Sequence, residues 1–244
     1  MGLKSFQNSQ LCSVSIGVVV DICASLGKEM TPFCDEIIAT LMEVLSNQLV
    51  QRKVKTEVLS VFGDIALAIG SEFKKYLNAV LQTLVQASTV QFCSVDFEMM
   101  EYINDLWEST LHAYTFIVQS LKGDGQAPSP DVQLLHPHVN HINQFLLRIA
   151  ENHVSMPDSI ISAACGLMGD MVMAFGPDMT ALAEVNSVQM MFVRGKKSKS
   201  TKTRSTVSWA MREIKKIKMS ATIMQQQQPN FANQIAGTAT AESW

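Results

Sequence analysis

The sequence predicts an all-α fold, an α-solenoid of stacked antiparallel helix pairs, and three observations point to it. An Asp followed six residues later by a Gly recurs at Asp21/Gly27, Asp64/Gly70 and Asp170/Gly176. Around the second copy, apolar residues keep helical spacing on both sides of the Gly. Gly (12) and Pro (7) are scarce in 244 residues, which suits long helices better than a turn-rich β fold.

The repeat fixes the architecture. The Asp sits in similar strings, Ile16–Ile22, Leu59–Ile65 and Cys165–Met171. Six residues past each Gly stand Phe33, Tyr76 and Leu182. In the first two copies Ile37 and Val80, then Leu41 and Leu84, follow in the same register. The first two copies lie 43 residues apart, a HEAT/armadillo period. The next interval is 106, room for one enlarged repeat without the marker. Val54, Val58, Val61, Phe62, Ile65 and Ile69 form one apolar stripe, and Phe73, Leu77, Val80, Leu81 and Leu84 a second. Each unit therefore reads as helix, Gly stop, helix, the Gly supplying φ > 0 where the first helix ends. A single helix pair cannot bury its apolar face, so HEAT pairs stack into one continuous core. Second helices are expected to line the concave side, giving residues 31–193 a negative concave surface.

The pattern places helix pairs at 9–26 with 31–46, 51–69 with 71–87, 95–121 with 131–151 and 158–174 with 177–193. A last helix is expected at 204–219. Residues 1–7 read as the remnant of an upstream helix, 8–219 as the solenoid, and 220–244 as a disordered tail rich in Gln, Thr and Ala. So short a remnant is expected not to cover all of Leu3, Phe6, Ile16, Val19 and Val20, so that the chain self-associates at this end.

Composition excludes several classes. No run of 18 uninterrupted apolar residues exists, so no membrane insertion is expected. The N-terminus lacks the apolar stretch of a secretory signal. Cys12, Cys23, Cys34, Cys93 and Cys165 form no CxxC pair and read as reduced, buried thiols. His136, His138 and His141 lack the companions that a metal site needs. No P-loop, nucleophile elbow or metalloprotease helix is present. The chain is expected to be no enzyme and to use no metal or cofactor. Charge is divided: residues 1–190 hold 9 Lys/Arg against 20 Asp/Glu, and residues 191–244 hold 10 against 2. An acidic body favours basic partners and disfavours nucleic acid.

Glu98, Glu101, Asp105 and Glu108 are spaced three, four and three, which sets four carboxylates in one helical stripe. Such a stripe is either a cradle for a basic helix or an ordinary solvated face. Asp35, Glu36 and Glu43 lie on a second helix, where partner contact is expected. Asp21, Asp64 and Asp170 recur once per repeat, cannot converge, and read as structural acceptors, with Gly27, Gly70 and Gly176 as helix stops. Arg194–Arg204 is a basic run without interleaved aromatics, expected to be a solvated loop, with a nucleic-acid patch as its alternative.

Longer strings carry a family resemblance. Val61–Gly70 followed by Glu72–Leu77 looks nearly identical to a repeat of importin-β, the nuclear import receptor family. Gly2–Gln7 resembles the junction before one of its late repeats. Gly195–Lys199, Trp209-Ala210 and Glu213–Lys216 are similar to its closing basic loop and last helix. The resemblance covers Gly2 to about Lys218 and implies the C-terminal HEAT repeats of the receptor. It implies as partner the basic importin-β-binding helix of importin-α, or basic cargo, held by Asp35, Glu36, Glu43, Glu98, Glu101, Asp105, Glu108 and Trp209. Phe-Gly nucleoporins are further candidate partners. Ran GTPase is expected to bind weakly or not at all, because the main Ran arch lies in earlier repeats. The implied location is cytoplasm and nucleus, shuttling through the pore. Asn78 and Asn140 depart from the family, replacing expected acids. A generic HEAT scaffold outside transport is the alternative.

Overall fold

The computed structural model describes residues 2–91, 96–123, 125 and 128–227, with no side chain described beyond residue 223. Among the described residues every regular element is helical. The α-helices are α1 (Ser9–Leu26), α2 (Cys34–Ser46), α3 (Arg52–Ile69), α4 (Leu77–Ser88), α5 (Phe97–Lys122), α6 (Val139–Glu151), α7 (Asp158–Phe175), α8 (Asn186–Lys196) and α9 (Thr201–Gln227). The odd-numbered helices pack in chain order, α1 on α3, α3 on α5, α5 on α7 and α7 on α9. The even-numbered helices form a second, looser layer in which α4 meets α6 and α6 meets α8. This is the HEAT-type solenoid that the repeat predicts.

Local chemistry starts and stops these helices. Asn8 caps α1 by accepting from the Leu11 N–H at 3.0 Å, and Asp96 caps α5 by accepting from the Glu98 N–H at 3.0 Å. Gly27, Gly70, Gly123 and Gly176 end the first helices of the four pairs, at φ between 52° and 75°. Each returns its N–H to the carbonyl four residues back. Their ψ values are strongly negative, −127° at Gly27 and −135° at Gly70, the mirror image of extended backbone. An L side chain is strained there even where space is free. Gly70→Ala is therefore expected to cost about 1–3 kcal/mol, read as a lower urea midpoint with unchanged slope. An unchanged midpoint would remove the argument.

The chain after each Gly differs from the sequence expectation. The second helix does not start at once. A 3-10 segment intervenes at Gly27–Phe33, Gly70–Lys75, Pro130–His138 and Gly176–Glu184. Pro32, Pro137 and Pro177 lie in three of these and lack the donor that an α-helical turn needs.

The core lies between the layers. Phe62, Phe73, Trp107, Tyr114 and Phe145 are completely buried. Trp107 of α5 meets Phe145 of α6 edge-on, with centroids 5.6 Å apart, a contact that adds to burial of order 1.5–3 kcal/mol for a large apolar side chain. Ser9–Ser46 and Asp158–Glu184 have mean hydropathies of 1.7 and 1.5, enough by length and composition to cross a bilayer. In the fold the first is two helices broken at Gly27, and the second breaks at Gly176, with 67% of its most apolar 18 residues buried in the protein.

Both chain ends depart from expectation. Gly2–Lys4 is one 3-10 turn rather than the end of a helix. Of the five residues expected not all to be covered, Ile16 and Val19 are 3% and 5% exposed. Val20, Leu3 and Phe6 are partly buried. The bare apolar side of α1 is instead Leu11, Val14 and Val18. In α3 the positions matching Leu11 and Val18 are Val54 and Val61, each 1% exposed. Ile16 and Val20 instead border α3, beside Ser60 and Val61. The last helix starts at Thr201 and runs to Gln227, past the expected end at 219, so residues 220–227 are helical rather than tail. Gln and Met are good helix formers. Residues 228–244 lie outside the described residues.

Candidate functional site

The stack presents two outward surfaces, and the predicted acidic residues divide between them. Asp35, Glu36 and Glu43 belong to α2, in the even-numbered layer. Asp35 is held by Lys75 at 2.8 Å and accepts from the Tyr76 hydroxyl. These two donors pull its carboxyl below the usual range, while burial pushes the Tyr76 phenol up. Lys4 sits 3.1 Å from Glu43. Glu36 is exposed and has no ion pair among the described residues.

Glu98, Glu101, Asp105 and Glu108 lie on α5, in the odd-numbered layer. All four are exposed, and none forms an ion pair among the described residues. Glu108 accepts from the Ser159 hydroxyl of α7 at 2.8 Å. Spacing along one helix shows that residues share a stripe, but not which layer that helix joins. The helix pairs read from the sequence already set the α5 stripe on a first helix and Asp35, Glu36 and Glu43 on a second, and the structure keeps that division.

Grooves run between successive odd-numbered helices. One, about 330 Å³, lies between α3 and α5 and is lined by Glu57, Asp105, Glu108 and His112. A second, about 650 Å³, spans α5, α7 and α9 and is lined by His112, Phe116, Gln119, Asp170, Lys202 and Trp209. Trp209 is partly buried and lies over Gly169, where a Cβ would fall 2.5 Å from the indole ring. Glu108 and Trp209 therefore border one groove, although α7 separates their helices.

The repeated Asp residues play unequal parts. Asp64 lies 3.4 Å from His112 Nε2 on α5. Asp170 is 4% exposed and accepts from Gln119 Nε2 of α5 at 3.0 Å. Burial raises its pKa to about 6, against the lowering by Gln119 and Lys122. Asp21 is exposed. Thus α5 is tied on both sides through the repeat Asp residues, an arrangement that spacing alone does not reveal.

The basic run is ordered from within. Arg194 donates to the carbonyls of His153 and Met156 and pairs with Asp158 at 3.5 Å. Arg204 donates to the carbonyls of Ser198 and Lys199 at 2.7 and 2.8 Å. Ser198 donates to Asp158. The arginines hold the turn, and Lys196, Lys197, Lys199 and Lys202 are exposed.

Cys12, Cys23, Cys34 and Cys165 are buried, and desolvation raises their thiol pKa values, that of Cys23 to about 12. Cys93 lies outside the described residues. No group of three or more His, Cys, Asp or Glu suited to a metal occurs among the described residues, so His136, His138 and His141 find no companions there.

Helix pairs stacked in chain order, with grooves between successive odd-numbered helices, define an α-solenoid of the HEAT type. The family model described as importin subunit beta-1-like, TPR repeats, matches residues 1–196. Importin subunit beta-1 of Arabidopsis thaliana is 38% identical over 186 residues, 75% of this chain and 21% of that protein. The Schizosaccharomyces pombe protein is 33% identical over 217 residues, 88% of this chain and 24% of that one. A crystal structure of importin beta in an ammonium sulfate condition superposes with a TM-score of 0.80 at 29% identity, over 88% of this chain and 24% of that one. A Kap95:Nup1 complex matches at 0.75 and 30% identity, with the same coverage. The chain belongs to the importin subunit beta-1 family, whose members are transport receptors and not enzymes. It spans 21% to 24% of the length of these two curated relatives.

Proposed function

We propose that the chain is the C-terminal part of a nuclear transport receptor, binding the basic importin-β-binding helix of importin-α or a basic cargo. The observation that carries this reading is the ladder of Glu98, Glu101, Asp105 and Glu108 on α5, exposed and without ion-pair partners among the described residues. Four carboxylates along a helix face attract Lys and Arg of a basic segment and set its register. On α2, Glu36 adds an uncompensated charge, while Asp35 and Glu43 first have to exchange Lys75 and Lys4 for the ligand. Trp209 borders the groove next to Glu108 and offers a face for a cationic side chain. The grooves between odd-numbered helices suit the apolar side chains of Phe-Gly nucleoporins, and Ran is a weak partner at most. Such a receptor works in both cytoplasm and nucleus. The family match and the Kap95:Nup1 neighbour support this reading.

Titration calorimetry with an importin-β-binding peptide tests it. Reversal of Glu98, Glu101 and Asp105 to Lys should weaken binding by about tenfold or more, with marked salt sensitivity. Reversal of Asp35, Glu36 and Glu43 should weaken it less. Unchanged affinity in both triple variants would sink the proposal.

A further inference from the structure

The two surfaces proposed above are acidic. A third feature has the opposite character. Where the second half of α9 crosses α8, a cavity of about 390 Å³ opens between the two helices. Phe192 and Ile214 form its base, 4% and 6% exposed, with Met211 beside them. Val193 forms its wall and is 44% exposed. On the same two helices, Met190 of α8 and Met219 of α9 are 48% and 55% exposed. Methionine side chains adapt to varied apolar partners, which suits a docking surface better than a rigid core.

Charge at the rim selects the ligand. Lys215 and Lys218 stand at the edge. Lys218 is 2.8 Å from Glu184. Lys215, and Lys196 one turn beyond Val193, have no ion pair among the described residues. Residues 191–218 hold ten Lys/Arg against the single acid Glu213, which Arg212 and Lys216 already engage. A basic segment is repelled here, and a segment with carboxylates flanking an apolar side chain is attracted.

We propose that this groove binds a short acidic segment of a partner protein through one bulky apolar side chain set between carboxylates. The apolar anchor fills the cavity over Phe192 and Ile214, and the flanking acids meet Lys215 and Lys196. The chain then holds two ligand classes at opposite parts of the stack, a basic one along α2 and α5 and an acidic one at α8 and α9.

Calorimetry on the full chain tests this with a short peptide carrying one central leucine between runs of glutamate. Binding is expected, weakening as salt rises. Lys215→Glu should reduce affinity by about fivefold, and Val193→Asp by about tenfold. Both positions are exposed, so circular dichroism should show the fold unchanged. Leucine replaced by glycine, or glutamates by lysines, should abolish peptide binding. Equal binding of the lysine-flanked peptide or of an uncharged Phe-Gly peptide would overturn the proposal. So would wild-type affinity in both variants. A concentration-dependent dimer lost on Val193→Asp would also overturn it, by assigning the groove to a second copy.

Discussion

Gly63→Ala is expected to destabilise the protein by about 2–3 kcal/mol, although alanine is the better helix former. Gly63 lies where α3 meets α5. A Cβ built there would fall 2.9 Å from Ala113 Cα, 3.2 Å from Phe116 Cβ and 3.3 Å from the His112 carbonyl oxygen. Two of these atoms are backbone, so no rotamer change relieves the clash. The helices must separate, and the packing around the completely buried Phe62 and Ala113 opens with them. Gly17→Ala is the control, because nothing lies within 4 Å of its Cβ position on α1. There only the propensity gain remains, so stability should rise by about 0.5–1 kcal/mol. Urea titrations of both variants read the contrast. Equal effects in the two would show that α3 and α5 are not held at the described distance.

Asp170→Asn is the second large effect, and it depends on pH. Burial raises the Asp170 carboxyl from 3.8 to about 6 in the folded state. The folded protein therefore binds this proton more tightly than the unfolded chain. The resulting stability is fully present below about pH 4 and is lost as pH rises through about 6. At pH 7 the buried carboxylate costs about 2–3 kcal/mol relative to its neutral form. An asparagine carries no such charge, and its side-chain oxygen still accepts from Gln119. The variant should match the parent near pH 4 and exceed it by about that amount at pH 7. Thermal unfolding at several pH values measures the difference. A difference independent of pH between 4 and 7 would show that Asp170 is solvated rather than buried.

These two residues also show how far the sequence could be read. The Asp–Gly spacing exposed three of the four helix pairs because both marker residues survive in them. The pair of α5 and α6 carries no such marker, because Ile117 stands where the Asp would be, and helical spacing alone places it at 95–121 with 131–151. Its stop is nonetheless the same, since Gly123 has φ of 73°. Periodicity gave the buried faces of α3 correctly, from Val54 to Ile69. It did not show that Asp170 meets Gln119, 51 residues away, or that His112 approaches Asp64. Such pairings depend on the rotation of neighbouring helices, which a single helix's spacing does not encode. The acidic candidates were legible as charges, and the helix pairs divided them between first and second helices, but the ion pairs that hold Asp35 and Glu43 were not legible.

The distribution of charge has a last consequence. Among the described residues, carboxylates without ion pairs gather on α5, with Glu36 on α2, while exposed lysines gather at the turn before α9 and along that helix. The arginines that fix the turn at Asp158 and Ser198 hold those lysines at one end of the stack. The molecule is therefore an electric dipole along its length, although its net charge is only −3. A charged partner approaching within a Debye length, about 8 Å at physiological salt, exerts a torque on it before contact. Orientation is chosen in the encounter, so ionic strength governs how fast partners arrive more than how long they stay.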